Sequence, residues 1–299
     1  MGPAINSFAK GVAATAVDAP GSLTSANPNL PPVIPRYQVQ MMAITTIIAN
    51  FLLPLLDQVS FFLGWLQGLA FGPDSTPVRQ GTGKDAVLIT GTSTGIGNDA
   101  AIALAKQGIV VFAGSVRSAV SIVTATLAQR GGTQLVGIVN NAGVPMSGAM
   151  DSTTRKEIER VFNVNVNGAV EVTQAFLPLM RQHGRGGRIV LIGSIAGVAT
   201  APHNGVYSAS KRAVEGLFEG LRLELAAEKI HVSIIRPGGI STPIWTNHVT
   251  RAIHHALTAR FPCHYYAVGL DARAIQWVVQ RVPARLYDLV LRKVMLKGE

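Results

Sequence analysis

The chain has 299 residues, of which 48% are hydrophobic and 14% are charged. This balance excludes an intrinsically disordered chain, and a single cysteine, Cys263, excludes a disulfide framework or a cysteine-built metal site. Residues 1–83 carry three basic and three acidic side chains, so the net charge of +10 lies entirely in residues 84–299. Such a surplus suits an anionic membrane, a phosphorylated cofactor or nucleic acid. Nucleic acid ranks last because no nucleic-acid motif accompanies the charge.

The chain before the charged part divides into three segments. Residues 1–38 lack hydrophobic periodicity and are predicted to form a flexible leader. Residues 39–71 carry Asp57 as their only charge, which predicts a kinked membrane span or a hairpin of two membrane-embedded helices. A soluble helical pair that packs on the core or on a partner is the alternative. Residues 72–83 are rich in turn-forming residues and are predicted to be a linker.

Residues 84–299 alternate between strand and helix patterns, which indicates one α/β domain with a parallel sheet. We predict a Rossmann-like, doubly wound sheet with helices on both faces. The predicted strands are 86–90, 110–113, 135–139, 189–192 and 232–235, and the predicted helices are 98–107, 118–130, 154–183, 207–228 and 251–260. Between the second and third strands there is room for only one crossover helix, so the sheet is predicted to lack one edge strand and its helix.

The turn after the first predicted strand is rich in glycine and leads straight into a helix. Its sequence is Gly91-Thr92-Ser93-Thr94-Gly95-Ile96-Gly97. A phosphate bound there must come close to backbone N–H groups and to the helix N-terminus, and a Cβ at the glycine positions would block it. The flanking strand and helix favour a dinucleotide-binding loop over glycines that serve only a tight turn.

A tyrosine and a lysine lie four residues apart at the start of a predicted helix. Tyr207 and Lys211 therefore share one helix face. A phenol with a pKa near 10 is a poor base at neutral pH, and an ammonium group beside it lowers that pKa. The pair could exchange a proton with an alcohol or carbonyl, although the same spacing is common on exposed helices. Ser194 favours catalysis, because it follows a predicted strand at the carboxyl edge, where open parallel sheets bind ligands.

Taken together, these motifs resemble the classical short-chain dehydrogenase/reductase family. The matching residues, in the family's order, are the glycine loop, Asn140, Asn141, Ala142, Gly143, Asn165, Ser194, Tyr207, Lys211, Pro237 and Gly238. Residues 193–197, 242–245 and 265–283 are most similar to the branch of 17β-hydroxysteroid and retinol dehydrogenases. The resemblance covers residues 84–299 and implies an NAD(P)-dependent oxidoreductase.

The resemblance also implies a role for each residue. Tyr207 would be the general acid/base, Lys211 would lower its pKa and hold the nicotinamide ribose, and Ser194 would hydrogen-bond the substrate oxygen. Asn165 would hold a relay water at a helix kink. The remaining cofactor contacts would come from Asn141, Ala142 and Gly143 beside the ribose, from Thr242 at the carboxamide, and from Pro237 and Gly238.

The second strand decides between the two nicotinamide cofactors. An acidic side chain at its end usually reads the 2′-hydroxyl of NAD(H), and a basic one reads the 2′-phosphate of NADP(H). The stretch 113–117 contains no Asp or Glu, and it ends in Ser115, Val116 and Arg117. We therefore predict NADP(H) rather than NAD(H), with Arg117 and Ser115 near the phosphate. No metal is predicted, because the adjacent His254 and His255 point to different helix faces.

These observations predict a membrane-associated oxidoreductase in a reducing compartment. It would transfer a hydride between NADP(H) and a secondary alcohol or ketone on a steroid-, retinoid- or lipid-like substrate. The resemblance also implies that helix 207–228 can serve as the surface of a homodimer. The missing edge strand and a missing substrate-covering segment after Trp245 leave two alternatives open. One is a non-catalytic, membrane-bound interaction module, and the other is an incomplete product of a longer gene. A third interpretation is a peripheral membrane protein held by residues 275–297.

Overall fold

The computed structural model describes residues 83–114, 116–239 and 243–283, with backbone alone for residues 116–119 and 243–245. The predicted leader and apolar segment therefore lie outside the described residues, as does nearly all of the linker. The peripheral tail is described only as far as residue 283. Among the described residues, no helix combines the length and the apolar character that a membrane crossing requires.

The described domain is built on a parallel sheet of six strands. They are β1 (Asp85–Ile89), β2 (Val110–Ala113), β3 (Gln134–Asn140), β4 (Gly187–Ile192), β5 (Ile230–Pro237) and β6 (Tyr265–Val268). Their order across the sheet is β2-β1-β3-β4-β5-β6, and every neighbouring pair is parallel. The chain therefore winds outward from β1 in both directions, which confirms the predicted doubly wound sheet. Among the described strands β2 forms one edge, as expected for a sheet that lacks a further strand there.

Seven α-helices of the described residues cover the sheet. They are α1 (Gly95–Lys106), α2 (Val116–Gln129), α3 (Arg155–Phe162), α4 (Gly168–Arg181), α5 (Gly205–Glu224), α6 (Pro243–Thr258) and α7 (Leu270–Arg281). One buried cluster joins the sheet to α2, α4 and α5 through Val123, Phe176 and Phe218. A second cluster joins the opposite face to α1 and α6 through Leu104 and Ile253. Because both faces are covered, the central strand β4 is buried along its whole length.

The long helix predicted over 154–183 is divided by a π-helical turn. Its start is the predicted capping box, in which the backbone N–H of Glu157 donates to Thr154 Oγ1 at 3.3 Å and Thr154 N–H donates to Glu157 Oε2 at 2.8 Å. The π turn, Asn163–Asn167, separates α3 from α4. A π turn inserts one extra residue into the helical ladder and re-aims the side chains around it.

Two elements near the end of the described chain differ from the prediction. The helix expected at 251–260 begins at Pro243, where proline suits the first helical position because its missing N–H would be unpaired there anyway. Strand β6 was not predicted, because only four residues pair with β5. Residues 259–264 connect α6 to β6, so no separate covering element stands between these two described elements.

Phe176 tests the assignment of the core. Its side chain is fully buried between α4 and the sheet, so Phe176→Ala should lower the free energy of unfolding by about 3–5 kcal/mol. Ile122→Ala is the control, because Ile122 on α2 is 60% exposed and should change stability by about 0.5 kcal/mol or less. Urea unfolding followed by circular dichroism measures both variants. Equal losses in the two would contradict this core.

Candidate active site

The carboxyl ends of the parallel strands carry two cavities. One, of about 430 Å³, lies between the glycine loop, the end of β2 and the start of α4. It is lined by the predicted cofactor residues Gly91, Thr92, Ser93 and Ala142. The other, of about 290 Å³, lies at the ends of β4 and β5. It is lined by Ile96, Asn141, Gly143, Ser194, Tyr207, Lys211, Pro237 and Gly238, all of them predicted site residues.

The glycine loop is folded tightly against the end of β3. Gly91 has φ +67°, and a Cβ there would lie 2.8 Å from the Cα of Ala142. A Cβ on Gly97 would lie 2.4 Å from both Asn141 Nδ2 and the Gly91 carbonyl oxygen. Gly95 also has a positive φ, +63°. Side chains other than hydrogen would therefore force the loop open at the point where a phosphate must approach.

Two side chains link this loop to the residues after β3. Thr90 Oγ1 accepts the backbone N–H groups of Asn141 and Ala142 at 3.1 and 3.0 Å. Asn141 Nδ2 donates to the carbonyls of Thr90 and Gly91, both at 2.9 Å. Thr94, the residue before α1, adopts an extended backbone and makes no side-chain capping bond to the helix. The first N–H groups of α1 are thus not capped by Thr94, which suits a bound phosphate.

Ser194, Tyr207 and Lys211 meet on the wall of the smaller cavity. Ser194 and Tyr207 both line this cavity, and the Ser194 side chain acts to lower the pKa of the Tyr207 phenol. The Lys211 ammonium lies 5.8 Å from the centre of the Tyr207 ring and donates to the carbonyl oxygen of Ile192 at 2.8 Å. Lys211 is only 5% exposed. A hydroxyl pair beside a buried cation is an arrangement that can pass a proton to or from a substrate oxygen.

Asn165 lies directly behind this group, in the π turn. It is 2% exposed, and its Oδ1 accepts the Val144 N–H at 2.8 Å. Its Nδ2 donates to the Val144 carbonyl at 3.1 Å and to Ser210 Oγ at 3.0 Å. Ser210 Oγ in turn donates to the Tyr207 carbonyl at 2.7 Å. Asn165 therefore connects the helix interruption to the backbone of Tyr207 and to the loop after β3.

Burial governs the protonation of the two titratable groups. Burial raises the pKa of Tyr207, with the Ser194 hydrogen bond acting to lower it and Glu215 acting to raise it. Burial is the largest of these effects, so the pKa of Tyr207 lies above its ordinary value, and the lowering by Lys211 stays a prediction. Burial also lowers the pKa of Lys211 to about 8, against an opposing effect of Glu215.

Three predicted site residues lie outside what the structure describes in full. Ser115 and Thr242 lie outside the described residues. Arg117 lies in the first turn of α2, where the backbone alone is described. In residues 83–114, 116–239 and 243–283, no three His, Cys, Asp or Glu side chains cluster so as to hold a metal ion.

Sequence reasoning missed two acidic residues at the site. The Asp271 carboxylate accepts the Gly239 N–H at 2.6 Å, and a Cβ on Gly238 would lie 2.1 Å from Asp271 Oδ1. Glu215 lies buried beside the Ser194 backbone. Glu215 could have been found, because it follows Tyr207 and Lys211 at the same four-residue spacing on one face of α5.

The residues present fit a dinucleotide. The glycine loop leaves no room for a Cβ at Gly91 or Gly97. The buried Oδ1 of Asn140, on the larger cavity, has no hydrogen-bond partner among the described residues. Asn140 Nδ2 is held by Thr173 Oγ1 at 3.0 Å, which fixes the amide and leaves its oxygen for a ligand donor. A doubly wound sheet with this loop, followed by a proton-transfer group, defines a nucleotide-dependent oxidoreductase.

Comparison with known proteins identifies the family. The family model for short chain dehydrogenase matches residues 116–252. The chain is 30% identical over 260 residues to the uncharacterized oxidoreductase YbbO of Escherichia coli (strain K12), an alignment that covers 71% of this chain and 96% of YbbO. The chain therefore belongs to the short-chain dehydrogenase/reductase family of NAD(P)-dependent oxidoreductases.

Two further similarities concern the branch and the fold. Retinol dehydrogenase 5 of Homo sapiens is 32% identical over 211 residues, covering 54% of this chain and 65% of that protein. The crystal structure of a short-chain dehydrogenase from Streptomyces avermitilis matches with a TM-score of 0.59 and 25% identity, over 72% of this chain and 98% of that one. The similarity to a retinol dehydrogenase agrees with the branch indicated by the sequence.

Gly97 tests the cofactor loop. Gly97→Ala should abolish the rise in melting temperature that NADPH gives the wild-type chain, because the added Cβ meets the backbone oxygen of Gly91 at 2.4 Å. Gly216→Ala is the control, because a Cβ at that helical position has nothing within 4 Å. Differential scanning fluorimetry with and without NADPH measures the effect. An undiminished NADPH shift in Gly97→Ala would contradict the assigned loop.

Proposed function

We propose that this chain transfers a hydride between NADP(H) and a secondary alcohol or ketone on a lipophilic molecule. The observation that carries the proposal is the joined group of Ser194, Tyr207 and Lys211 on one cavity wall. Asn165 supports this group from behind through Ser210. The proposal includes catalytic roles for Ser194, Tyr207, Lys211 and Asn165 and a domain that spans residues 84–299.

In carbonyl reduction, the substrate oxygen would bind between the hydroxyls of Ser194 and Tyr207. NADPH, when bound, supplies the hydride to the carbonyl carbon and becomes NADP⁺. The Tyr207 hydroxyl gives its proton to the substrate oxygen, and Ser194 holds that oxygen by a hydrogen bond as negative charge develops on it. The Lys211 ammonium stabilises the phenolate that remains. Alcohol oxidation runs through the same steps in reverse.

The chemistry of the cavity supports a lipophilic substrate. Beside the polar group, its walls include Ile96, Val144, Pro145 and Ile192. Apolar walls with a few convergent polar groups bind mainly through the hydrophobic effect and orient the ligand through those polar groups. Retinol dehydrogenase 5, named for an apolar alcohol, is among the similar proteins. We propose a steroid-, retinoid- or lipid-like substrate on these grounds.

Charge supports the choice of NADP(H). The net charge of +10 falls in residues 84–299, and no Asp or Glu stands in 110–117, where β2 ends and α2 begins. Arg117, in the first turn of α2, follows the strand whose end faces the adenosine ribose in such folds. We propose that Arg117 and Ser115 bind the 2′-phosphate and that Thr242 contacts the nicotinamide carboxamide.

Membrane attachment and dimerisation complete the proposal. We propose that residues 39–71 associate with a membrane, because they carry Asp57 as their only charge. The leader 1–38 and the linker 72–83 flank this segment. We also propose that the catalytic domain works in a reducing compartment. Helix α5 exposes Leu217 and Leu223 at 51% and 65%, and these side chains support a homodimer formed through that helix.

Tyr207→Phe tests the catalytic assignment. Removal of the hydroxyl should lower kcat by about 10²–10⁴-fold, because general acid–base catalysis contributes that much. The NADPH-induced rise in melting temperature should persist, since the cofactor loop is intact. The assay is NADPH or NADH oxidation at 340 nm with a 17-ketosteroid and a long-chain aliphatic ketone as probes, using the full chain. A wild-type chain without turnover on these probes and without an NADPH shift would overturn the proposal.

Lys211 sets a second test, through pH. Below a pKa of about 8 its ammonium form is present, and that form attracts the anionic cofactor. As pH rises through about 8 the charge is lost, so the Kd for NADPH should increase. Lys211→Met should bind NADPH weakly, with no inflection near that pH. Titration of NADPH fluorescence at pH 6.5–9.5 measures both. The same inflection in Lys211→Met would show that another group is responsible.

A further inference from the structure

A buried ion pair lies beneath the turn that carries Ser194. Glu215 is 3% exposed. Its Oε2 accepts a hydrogen bond from Arg236 Nε at 2.9 Å and lies 2.9 Å from Arg236 Nη2 in an ion pair. The Arg236 side chain is only 12% exposed. Two guanidinium nitrogens thus converge on one carboxylate oxygen, and a charge-assisted hydrogen bond of this kind is stronger than a neutral one. Arg236 therefore fixes the direction in which the second carboxylate oxygen points.

That second oxygen faces the Ser194 turn. Glu215 Oε1 accepts the backbone N–H of Ser194 at 3.4 Å. A Cβ on Gly193 would lie 2.3 Å from the same oxygen, and a Cβ on Gly197 would lie 2.9 Å from it. The turn thus closes around the carboxylate through two glycines, and the backbone of Ser194 cannot shift toward α5 without displacing Glu215.

A second side chain of α5 holds the other end of the turn. Arg212 donates from Nε to the Gly197 carbonyl at 3.0 Å and from Nη2 to the Val198 carbonyl at 3.1 Å. The helix that carries Tyr207 and Lys211 therefore also contacts the turn on both sides of Ser194. Because all these side chains are mounted on one rigid helix, the separation of the Ser194 and Tyr207 hydroxyls depends on these contacts.

We propose that Glu215 is a positioning residue for Ser194, which it aligns with Tyr207 and Lys211 by holding the backbone N–H of the serine while Arg236 fixes its carboxylate. This inference rests on the proposed function, since it deepens the role of the same site. Glu215 acts through Ser194 and does not itself touch the substrate.

The groups around the pair come from three elements. Arg236, on β5, stacks on the ring of Tyr265 of β6, with the guanidinium carbon 4.1 Å from the ring centre. The Tyr265 hydroxyl donates to Glu219, whose Oε1 lies 4.0 Å from Arg236 Nη2. Burial and Glu219 raise the pKa of Tyr265 to about 12, so it stays a hydrogen-bond donor at working pH. This support keeps Arg236 in place against Glu215.

The charge of Glu215 also reaches the titratable groups of the site. Burial raises the pKa of Glu215, while Arg236 and Lys211 act to lower it. Glu215 in turn raises the pKa of Lys211 and of Tyr207. Removal of its charge should therefore lower the pKa of Lys211 and move the alkaline limb of the activity profile to lower pH. An ion pair that served only to hold the fold together would leave this limb in place.

The first test is Glu215→Gln in the full chain. We expect kcat for carbonyl reduction to fall at least about tenfold, since a small displacement of a catalytic group is costly. KM for NADPH should stay within about twofold, because the glycine loop is untouched. The alkaline limb should move to lower pH. Glu224→Gln is the matched control, being the same change on the same helix at an exposed position, and it should change none of these.

A second variant separates positioning from folding. Glu215→Gln/Arg236→Gln removes the unpaired buried cation that the single variant leaves, so its melting temperature should recover. Under the proposal kcat stays low although stability returns. The positioning role would be overturned if kcat of the double variant recovered together with its melting temperature. It would also be overturned if the alkaline limb of the pH–activity profile of Glu215→Gln did not move. If the wild-type chain itself shows no turnover, the proposed oxidoreductase function fails. That outcome is distinct from failure of the positioning role of Glu215, which requires an active wild-type chain.

Discussion

The hydrogen bond from the Lys211 ammonium to the Ile192 carbonyl is the contact on which the site depends. It spans 2.8 Å and joins α5 to the carboxyl end of β4. A cation that is 5% exposed is tolerated only where it is hydrogen-bonded and where a counter-charge is near. The carbonyl supplies the first condition, and Glu215 on the next turn of the helix supplies the second. Movement of α5 along the sheet would break the hydrogen bond to the Ile192 carbonyl and leave the buried cation without it, so these contacts hold the helix in one position.

The edge of the sheet that ends at β2 bears less on the chemistry than the sequence suggested. The phosphate-binding turn is held by Thr90 and Asn141, which join the end of β1 to the residues after β3. Neither contact uses β2 or any strand beyond it. The cavity beside this turn is closed by Gly114 after β2 and by residues of α4, including Gly168, Ala169 and Val172. The hydrogen bonds that hold the glycine loop therefore depend on the pairing of β1 with β3 and not on a strand beyond β2.

Local patterns predicted most of the fold, and long-range contacts account for what was missed. The capping box at Thr154 and the glycine loop are encoded within a few residues, so they were visible in the sequence. Asp271 reaches Gly239 across 32 residues, and β6 is a strand only because β5 lies beside it. Neither could be read from a short window. The burial that raises the pKa of Tyr207 could not be read from a short window for the same reason, since it depends on how α5 packs.

The charges near Tyr207 also bear on its protonation. Lys211 and Arg236 are cations, Glu215 is their shared anion, and all three are buried or nearly so. Because burial and Glu215 both raise the pKa of Tyr207, the resting site holds a neutral phenol at neutral pH. A neutral phenol beside an ammonium is ready to give a proton and unable to take one. Under the proposed function, the resting site therefore holds the proton that carbonyl reduction delivers, and alcohol oxidation must first remove that proton from Tyr207.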